Sequence, residues 1–286
     1  MAKSTRAETA ARAAQLRAEA ARKDRQRKQV IAASVAVVVV VIAVVLGVVI
    51  SNQPKDAPAA SAGGKGAAAL ATLEKLPASL LDKAPAPSPA QAPAKLQGGT
   101  ALTQDGKPKV LYIGAEYCPF CAMERWALIG ALSRFGTFTG ITETTSSSTD
   151  VHPDTPTFSF KDATFTSDVL AFQAIETQDR DGKPLQTLDG ANLALFQKFN
   201  PGGGIPWITY GGTTATSGAT VDTNAFEGKT YDQIIAGIQD PTSDIGKTVT
   251  PAINMITAQI CDQTKGQPAN VCTSQGVQSA SVLLKR

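Results

Sequence analysis

The chain divides into three parts by hydrophobicity: a polar N-terminal segment, one long apolar run, and a remainder in which polar and apolar residues are mixed. Residues 30–50 form this run, VIAASVAVVVVVIAVVLGVVI, in which Ser34 is the only polar side chain. A helix of this length rises about 30 Å, which matches the hydrocarbon core of a bilayer. The pattern therefore predicts one transmembrane helix at residues 30–50. A cleaved signal peptide is the alternative, although its apolar stretch is normally shorter and nearer the N-terminus.

Shorter patterns predict the elements of the C-terminal part. An apolar run at residues 110–113 follows a turn signal and indicates a buried strand. Apolar residues between positions 122 and 132 then recur at helical spacing, so a helix is expected directly after the strand. Two further helices are predicted at residues 230–239 and 251–264, and Pro251 is taken as the start of the second.

Composition separates a linker from a globular domain. Residues 51–97 hold seven of the 17 prolines among many Ala, Gly and Ser residues, a composition that disfavours both helix and sheet. They are predicted to be a tether, interrupted by a helical piece at residues 67–81 whose docking the sequence does not decide. Every aromatic residue lies at or after Tyr112. Because aromatic side chains supply much of a core, residues 98–286 are predicted to form the folded domain.

The charge distribution predicts how the chain is oriented. Residues 1–29 hold nine Lys or Arg and three Asp or Glu, whereas the first basic residue after the apolar run is Lys55. By the positive-inside rule, the N-terminus is cytoplasmic and the domain at residues 98–286 is extracytoplasmic in the cell membrane. The tail is rich in helix formers and is expected to be helical, with anionic membrane lipids as its partner or with no partner at all. Nucleic acid, the other partner of basic tails, is not expected.

The candidate chemistry lies in the CPFC motif at residues 118–121, between the predicted strand and helix. A helix N-terminus offers unpaired N–H groups and partial positive charge, both of which stabilise a thiolate. Cys118, at the exposed end of this junction, is predicted to be the nucleophile. Cys121, one turn further in, is predicted to be the resolving thiol that closes a disulfide and releases a mixed-disulfide partner.

Two other interpretations of these cysteines stay open. A CxxC pair can be half of a zinc site, in which case Cys118, Cys121, Cys261 and Cys272 would all be ligands. It can also be a purely structural disulfide. Because extracytoplasmic cysteines favour disulfides, we expect no metal, no other cofactor, and a structural disulfide between Cys261 and Cys272 that staples the C-terminal loop.

A strand, Cys-Pro-Phe-Cys, a helix and a later Ile-Pro before a strand resemble the thioredoxin superfamily. The stretch YIGAEYCPFCAMERWALIGALSRFGTF, with SSSTDVHPDTPTF after it, resembles the prokaryotic domain-of-unknown-function 929 family over roughly residues 100–275. The resemblance implies an α/β thioredoxin-like fold in which Pro206 is cis and faces the dithiol. Ile205 would then offer its backbone to the substrate chain. An ordinary trans proline that opens a strand is the alternative.

The distance between the two motifs predicts an insertion. Cys121 and Pro206 are 85 positions apart, which is more than a minimal thioredoxin has, so an insertion is expected within about residues 141–190. Its Ser, Thr and Phe content indicates less helix than the insertion of DsbA-like proteins has. The predicted function is a membrane-anchored thiol–disulfide oxidoreductase acting on extracytoplasmic protein thiols and disulfides, with a separate partner that recycles the dithiol. A non-catalytic binding or scaffold module with structural disulfides is the alternative.

Three other titratable side chains are candidates for a chemical role. His152 is the only histidine and is expected to be a surface loop residue rather than a catalyst. Glu116 and Glu124 flank the dithiol and could accept a proton during exchange or raise the pKa of Cys118. For Glu124 we favour the simpler interpretation, a solvated carboxylate near the helix end.

Overall fold

The structure of the chain, a computed structural model, describes residues 65–285. The predicted basic tail at residues 1–29, the predicted transmembrane helix at residues 30–50 and the first part of the predicted linker lie outside the described residues. Within the described range, no helix is both long enough and apolar enough to cross a membrane.

Most of the strands form one mixed sheet. The strands of the described part of the chain are β1 (Ala94–Lys95), β2 (Thr103–Gln104), β3 (Lys107–Gly114), β4 (Thr137–Thr139), β5 (Thr142–Thr145), β6 (Pro156–Ser159), β7 (Thr164–Thr166), β8 (Ala171–Glu176), β9 (Trp207–Tyr210) and β10 (Thr214–Ser217). The main sheet has the order β1, β10, β9, β3, with β2 and β8 also paired to β3. Only β8 runs parallel to its neighbour in this sheet. The chain therefore has the mixed α/β architecture that the sequence predicted.

β3 lies at the centre of this sheet because its apolar run can be covered on both faces. Its side chains from Val110 to Gly114 are all buried. Alternate positions enter two separate cores: Val110 and Tyr112 belong to the larger one, and Leu111 and Ile113 to the smaller one. This alternation is the two-residue period of a strand, and it places helices on both sides of the sheet.

The helices cover the two faces unequally. In the described range they are α1 (Lys65–Leu73), α2 (Ala78–Leu81), α3 (Pro119–Leu132), α4 (Gly190–Phe199), α5 (Tyr231–Gln239), α6 (Asp244–Gln263), α7 (Ala269–Cys272) and α8 (Gln275–Leu284). The larger core contains residues of α1, α2, α3, α5, α6 and α8, and from Cys121 to Leu132 every residue of α3 is buried. On the other face, Phe196 of α4 packs edge-on against Trp207 at a ring-centroid distance of 5.6 Å.

The helical piece predicted within the linker at residues 67–81 is observed as α1 and α2, but residues 65–97 are not a free tether, because they belong to the folded unit. Ala69 and Leu73 of α1 and Leu81 of α2 are buried in the larger core. The proline-rich segment that follows is held by Gln91, whose buried amide donates to the carbonyls of Thr220 and Thr248 at 3.1 and 3.2 Å. Alternating prolines prevent a helix, but they do not prevent an extended segment from packing on a domain.

Pro251 lies inside α6 rather than at its start. The helix begins at Asp244, where the Ser243 hydroxyl accepts the Gly246 N–H at 2.9 Å and caps the N-terminus. An internal proline removes one helix hydrogen bond, which is why it was taken as a boundary. Here tertiary packing outweighs that loss, because α6 is buried almost continuously from Ile245 to Cys261. The helix predicted at residues 230–239 is confirmed as α5.

The regular elements in the region predicted as an insertion are strands, apart from the first residue of α4 at its end. β4 pairs with β7, and β5 pairs with β6, in two antiparallel two-stranded sheets. A cluster of phenylalanines joins these strands to β8, with ring centroids 4.8 to 5.9 Å apart between Phe138 and Phe160, Phe165 and Phe172. The low helix content that the Ser- and Thr-rich sequence predicted for residues 141–190 is therefore observed.

Candidate dithiol site

The CPFC motif forms the N-terminus of α3. Cys118 is the N-cap residue, with φ −72° and ψ 117°, and Pro119 is the first helical residue, where its missing N–H has no intrahelical role. The backbone N–H of Cys121 donates to the Cys118 sulfur at 3.2 Å. The Cys118 sulfur therefore occupies the place of a capping oxygen, in the part of a helix that favours negative charge.

The two thiols are free and differ in environment. Cys118 keeps 4% of its surface exposed and Cys121 keeps none. A hydrogen bond from the Cys121 thiol, more than any other influence, lowers the pKa of Cys118 below that of an ordinary cysteine. Burial, followed by that same hydrogen bond, raises the pKa of Cys121 well above its usual range. Of the two thiols, Cys118 therefore ionises first, and Cys121 keeps its proton to higher pH.

A proline from a distant part of the chain lies against this dithiol. The Ile205–Pro206 peptide bond is cis, the conformation that the resemblance to the thioredoxin superfamily implied. The Cys118 thiol donates to the Ile205 carbonyl oxygen at a sulfur–oxygen distance of 3.7 Å, across 87 sequence positions. The sheet explains this contact: β9 begins directly after Pro206 and is antiparallel to β3, with Ile113 opposite Trp207. The start of β9 therefore meets the end of β3, where the dithiol loop begins.

The rim of the dithiol exposes apolar side chains. Phe120, between the two cysteines, is 37% exposed, and Val151 is 71% exposed. The His152 ring contacts Phe120 edge-on at a centroid distance of 6.0 Å, so the predicted loop histidine lies beside the motif. Next to Tyr117, a groove of about 390 Å³ is lined by Asp150, Val151 and the turn at residues 178–182.

Beneath the dithiol lies an ion pair that the sequence analysis did not predict. The side chains of Arg125 and Glu176 are both fully buried. Arg125 donates from Nε and Nη2 to the two Glu176 oxygens at 2.8 and 2.7 Å, in bidentate geometry. Arg125 is in α3 and Glu176 ends β8, 51 positions away, so no local pattern announces the pair.

Two polar atoms next to this ion pair are left without partners. Arg125 Nη1 and the Tyr112 hydroxyl are both buried and form no hydrogen bond with any described residue. The Arg125 guanidinium carbon lies 5.7 Å from the centre of the Tyr112 ring. Most buried polar groups in proteins are hydrogen-bonded.

The expectation of a solvated Glu124 is wrong. Its side chain is completely buried, and its carboxylate accepts hydrogen bonds from the backbone N–H and the hydroxyl of Thr220 at 2.7 and 3.0 Å. Burial raises its pKa to about 7, although the bonds from Thr220 oppose this shift. Glu116 is half-buried and accepts the Ser159 hydroxyl. Helix α3 is covered on all sides, so the face of Glu124 is not a solvent face.

Replacing Glu124 by glutamine should flatten the pH dependence of stability. Because its folded pKa of about 7 lies above the ordinary value, burial of the neutral carboxyl group favours the fold at low pH. Because the unfolded chain ionises this carboxyl group at a lower pH than the folded protein, the free energy of unfolding should fall by about 2–3 kcal/mol between pH 5 and 8. Urea unfolding at both pH values measures it in the parent and in Glu124→Gln. The exposed Glu227→Gln is the control, and an equal pH dependence of all three proteins would contradict the prediction.

The remaining two cysteines are bonded to each other. Cys261, near the end of α6, and Cys272, the last residue of α7, form the predicted disulfide, with 1.98 Å between their sulfur atoms. They are therefore not available to ligate a zinc ion together with Cys118 and Cys121. Within residues 65–285, no group of three or more His, Cys, Asp or Glu side chains is placed to hold a metal ion.

Comparison with known proteins adds one finding. No curated protein and no solved structure matches the chain. Residues 94–201 match the model of a protein family described as Domain of unknown function (DUF929), a segment that contains α3 with both cysteines of the motif and stops short of Pro206. The resemblance to this family that the sequence predicted is thereby confirmed, over residues 94–201 rather than roughly 100–275.

Proposed function

We propose that this chain is a membrane-anchored thiol–disulfide oxidoreductase that acts on extracytoplasmic protein thiols through Cys118 and Cys121. One observation carries the proposal. The Cys118 sulfur lies at the N-terminus of α3, between the Cys121 N–H that stabilises negative charge on it and the Ile205 carbonyl beside a cis proline. A structural cysteine pair needs neither a thiol of lowered pKa nor a backbone groove beside it.

The proposed fold is thioredoxin-like, with an insertion. In support, a central strand leads into the CxxC helix, and a cis-Pro precedes a strand antiparallel to that central strand. β8, parallel to β3, follows the strand-rich region and belongs to the same sheet. On this proposal, β4 to β7 are the insertion between the CxxC helix and the cis-Pro strand.

The proposed reaction is thiol–disulfide exchange in two balanced steps. A substrate thiolate attacks the Cys118 sulfur of the oxidised pair, forming a mixed disulfide and releasing Cys121 as a thiolate that takes up a proton. A second substrate thiolate then attacks the substrate sulfur of the mixed disulfide. The substrate leaves as a disulfide, and two electrons remain on the Cys118–Cys121 dithiol. A separate disulfide-bearing partner protein would reoxidise the dithiol, and the same steps in reverse reduce a substrate disulfide.

The difference between the thiols suits this division of roles. Cys118 has the lower pKa, so it is the better leaving group and the better nucleophile at neutral pH. Cys121, fully buried, can reach only Cys118 and therefore resolves the mixed disulfide rather than attacking a substrate. The Ile205 carbonyl beside Cys118 would accept a hydrogen bond from the backbone of an extended substrate segment, and Phe120 offers that segment an apolar contact.

The membrane part of the proposal rests on the sequence. The uncharged run at residues 30–50 follows the basic residues 1–29, which supports a cytoplasmic N-terminus and an extracytoplasmic domain. The same tail would bind anionic lipid headgroups. An extracytoplasmic position also agrees with the disulfide between Cys261 and Cys272, because such bonds persist in oxidising compartments.

Trapping of a mixed disulfide tests the function. The full-length protein in detergent, reduced beforehand, is mixed with a short peptide containing one disulfide and is then acid-quenched for mass spectrometry. Cys121→Ser should accumulate the adduct on Cys118, because the thiol that resolves it is missing. The matched control, Cys118→Ser, should form at least about tenfold less adduct, because Cys121 is buried and mostly protonated. Absence of any adduct on Cys121→Ser would overturn the proposal in favour of a non-catalytic scaffold.

A further inference from the structure

Arg125 lies on the same face of α3 as the buried cysteine of the motif. It follows Cys121 by four positions, and residues four apart in a helix are neighbours separated by about one turn. Neither side chain has any exposed surface. The guanidinium therefore lies in the protein interior close to the dithiol, where no water screens its charge.

One carbonyl oxygen links the guanidinium to the other cysteine. The Ala115 oxygen accepts Arg125 Nη2 at 2.8 Å and the Cys118 backbone N–H at 3.3 Å. Because both bonds end on the same atom, Arg125 Nη2 and the Cys118 nitrogen are at most about 6 Å apart. A positive charge thus lies close to the backbone of Cys118 and one helical turn from Cys121.

The pairing with Glu176 leaves one side of the guanidinium open. Glu176 and Ala115 together occupy Nε and Nη2, while Nη1 has no partner among the described residues. Burial of an ion pair usually adds little net stability, since desolvation of the two charges offsets their attraction.

Arg125 is the only buried cation in the part of the chain that the structure describes. Tyr112, Tyr117 and Glu176 are the titratable side chains packed around it and the two thiols. Other titratable side chains near the motif, namely Glu116, Asp150, His152 and Arg180, are partly exposed to solvent, which screens charge. Burial raises the pKa of Tyr112 well above its usual value and also raises the pKa of Tyr117, so both are neutral at physiological pH. Arginine stays protonated in proteins. Arg125 is therefore the buried charge that acts on the sulfurs, and the Glu176 carboxylate paired with it opposes that charge.

We propose that Arg125 is a positioning residue whose buried charge stabilises the reduced dithiol and so makes the Cys118–Cys121 disulfide more oxidising. This inference rests on the proposed function, because it concerns the direction of the exchange. The reduced pair carries a thiolate that a cation stabilises, whereas the disulfide carries no charge. In support, the pKa of Cys118 is lowered mainly by the Cys121 hydrogen bond and further by Arg125, which also opposes the rise that burial causes in the pKa of Cys121. A stabilised reduced state is what distinguishes a donor of disulfides from a reductant.

Two variants with opposite effects on the charge test this role. Glu176→Gln keeps the Arg125 charge and removes the opposing carboxylate. The double variant Arg125→Met with Glu176→Gln removes both charges and leaves no unpaired ion in the core. Each full-length protein in detergent is equilibrated with reduced and oxidised glutathione. In this equilibrium, the protein dithiol and one oxidised glutathione are converted to the protein disulfide and two reduced glutathiones. Trapping by alkylation and mass spectrometry gives the equilibrium constant, and alkylation rates between pH 4 and 9 give the pKa of Cys118.

The expected shifts have opposite signs. Glu176→Gln should favour the reduced dithiol about tenfold and lower the Cys118 pKa, whereas the double variant should favour the disulfide about tenfold, or about 30 mV, and raise that pKa. Shifts of the same sign, or none, would overturn the inference. If Glu176→Gln does not fold, the double variant decides by itself: an unchanged pKa and equilibrium overturn the proposal. A parent protein that never exchanges with glutathione contradicts the proposed function instead, and the Cys118 pKa then still judges Arg125.

Discussion

Replacement of Glu176 by alanine is expected to destabilise the domain by about 3–5 kcal/mol, because it leaves the buried Arg125 charge without its counterion. Glu176 accepts two short hydrogen bonds from Arg125, and both side chains are excluded from solvent. Water cannot reach the guanidinium without opening the junction between α3 and β8. The urea midpoint of unfolding, followed by fluorescence of Trp126 and Trp207, measures the loss. Both tryptophans are buried in the fold and report on its two cores.

Two controls separate the cost of an unpaired charge from the value of the pair. Arg125→Met combined with Glu176→Leu replaces both ions by apolar side chains of similar volume and should be near neutral or slightly stabilising. Asp154→Ala breaks a surface pair with Arg180, whose side chains are 60% and 40% exposed, and should cost less than about 1 kcal/mol. A loss in Glu176→Ala no larger than that in Asp154→Ala would contradict the prediction.

The second large effect is a difference in reactivity between the two free cysteines. In the reduced protein at pH 7, iodoacetamide should modify Cys118 on the order of 100-fold faster than Cys121. The pKa of Cys118 is lowered by the thiol of Cys121, and the pKa of Cys121 is raised by burial. Each unit of separation changes the ratio of thiolates about tenfold, and the burial of Cys121 further slows its reaction. Mass spectrometry of tryptic peptides over time gives both rates.

The pH dependence of this reaction has a defined sign. The Cys118 rate should stay high as pH falls below the ordinary cysteine pKa and should decline only when pH passes its own lower value. The same protein unfolded in guanidinium chloride is the control, and there both cysteines should react equally and only at higher pH. Equal rates in the folded protein would show that the helix N-terminus does not differentiate the thiols, and would remove the basis for separate nucleophilic and resolving roles.

The sequence by itself determined the parts of this protein that depend on neighbouring residues. A strand, a CxxC motif and a helix follow one another within 25 positions, so α3 and the place of Cys118 at its N-terminus could be predicted. The disulfide between Cys261 and Cys272, which are 11 positions apart, could also be predicted. Resemblance to a family added the expectation of a cis peptide bond at Pro206, a position that composition and spacing alone would not have singled out.

Only the tertiary structure decided which polar residues are buried and what they meet. Glu124 and Arg125 look like the solvent side of an amphipathic helix, but α3 is enclosed on every side, so both are internal. Enclosure comes from elements far away in the chain, including α1, which the sequence assigned to a linker. Partners such as Thr220 and Glu176 are 96 and 51 positions distant. Local sequence patterns determine the periodicity and the caps of helices and strands. Long-range packing instead determines which partner a buried charge has and how polar its surroundings are, and these two factors shift the pKa values of ionisable groups.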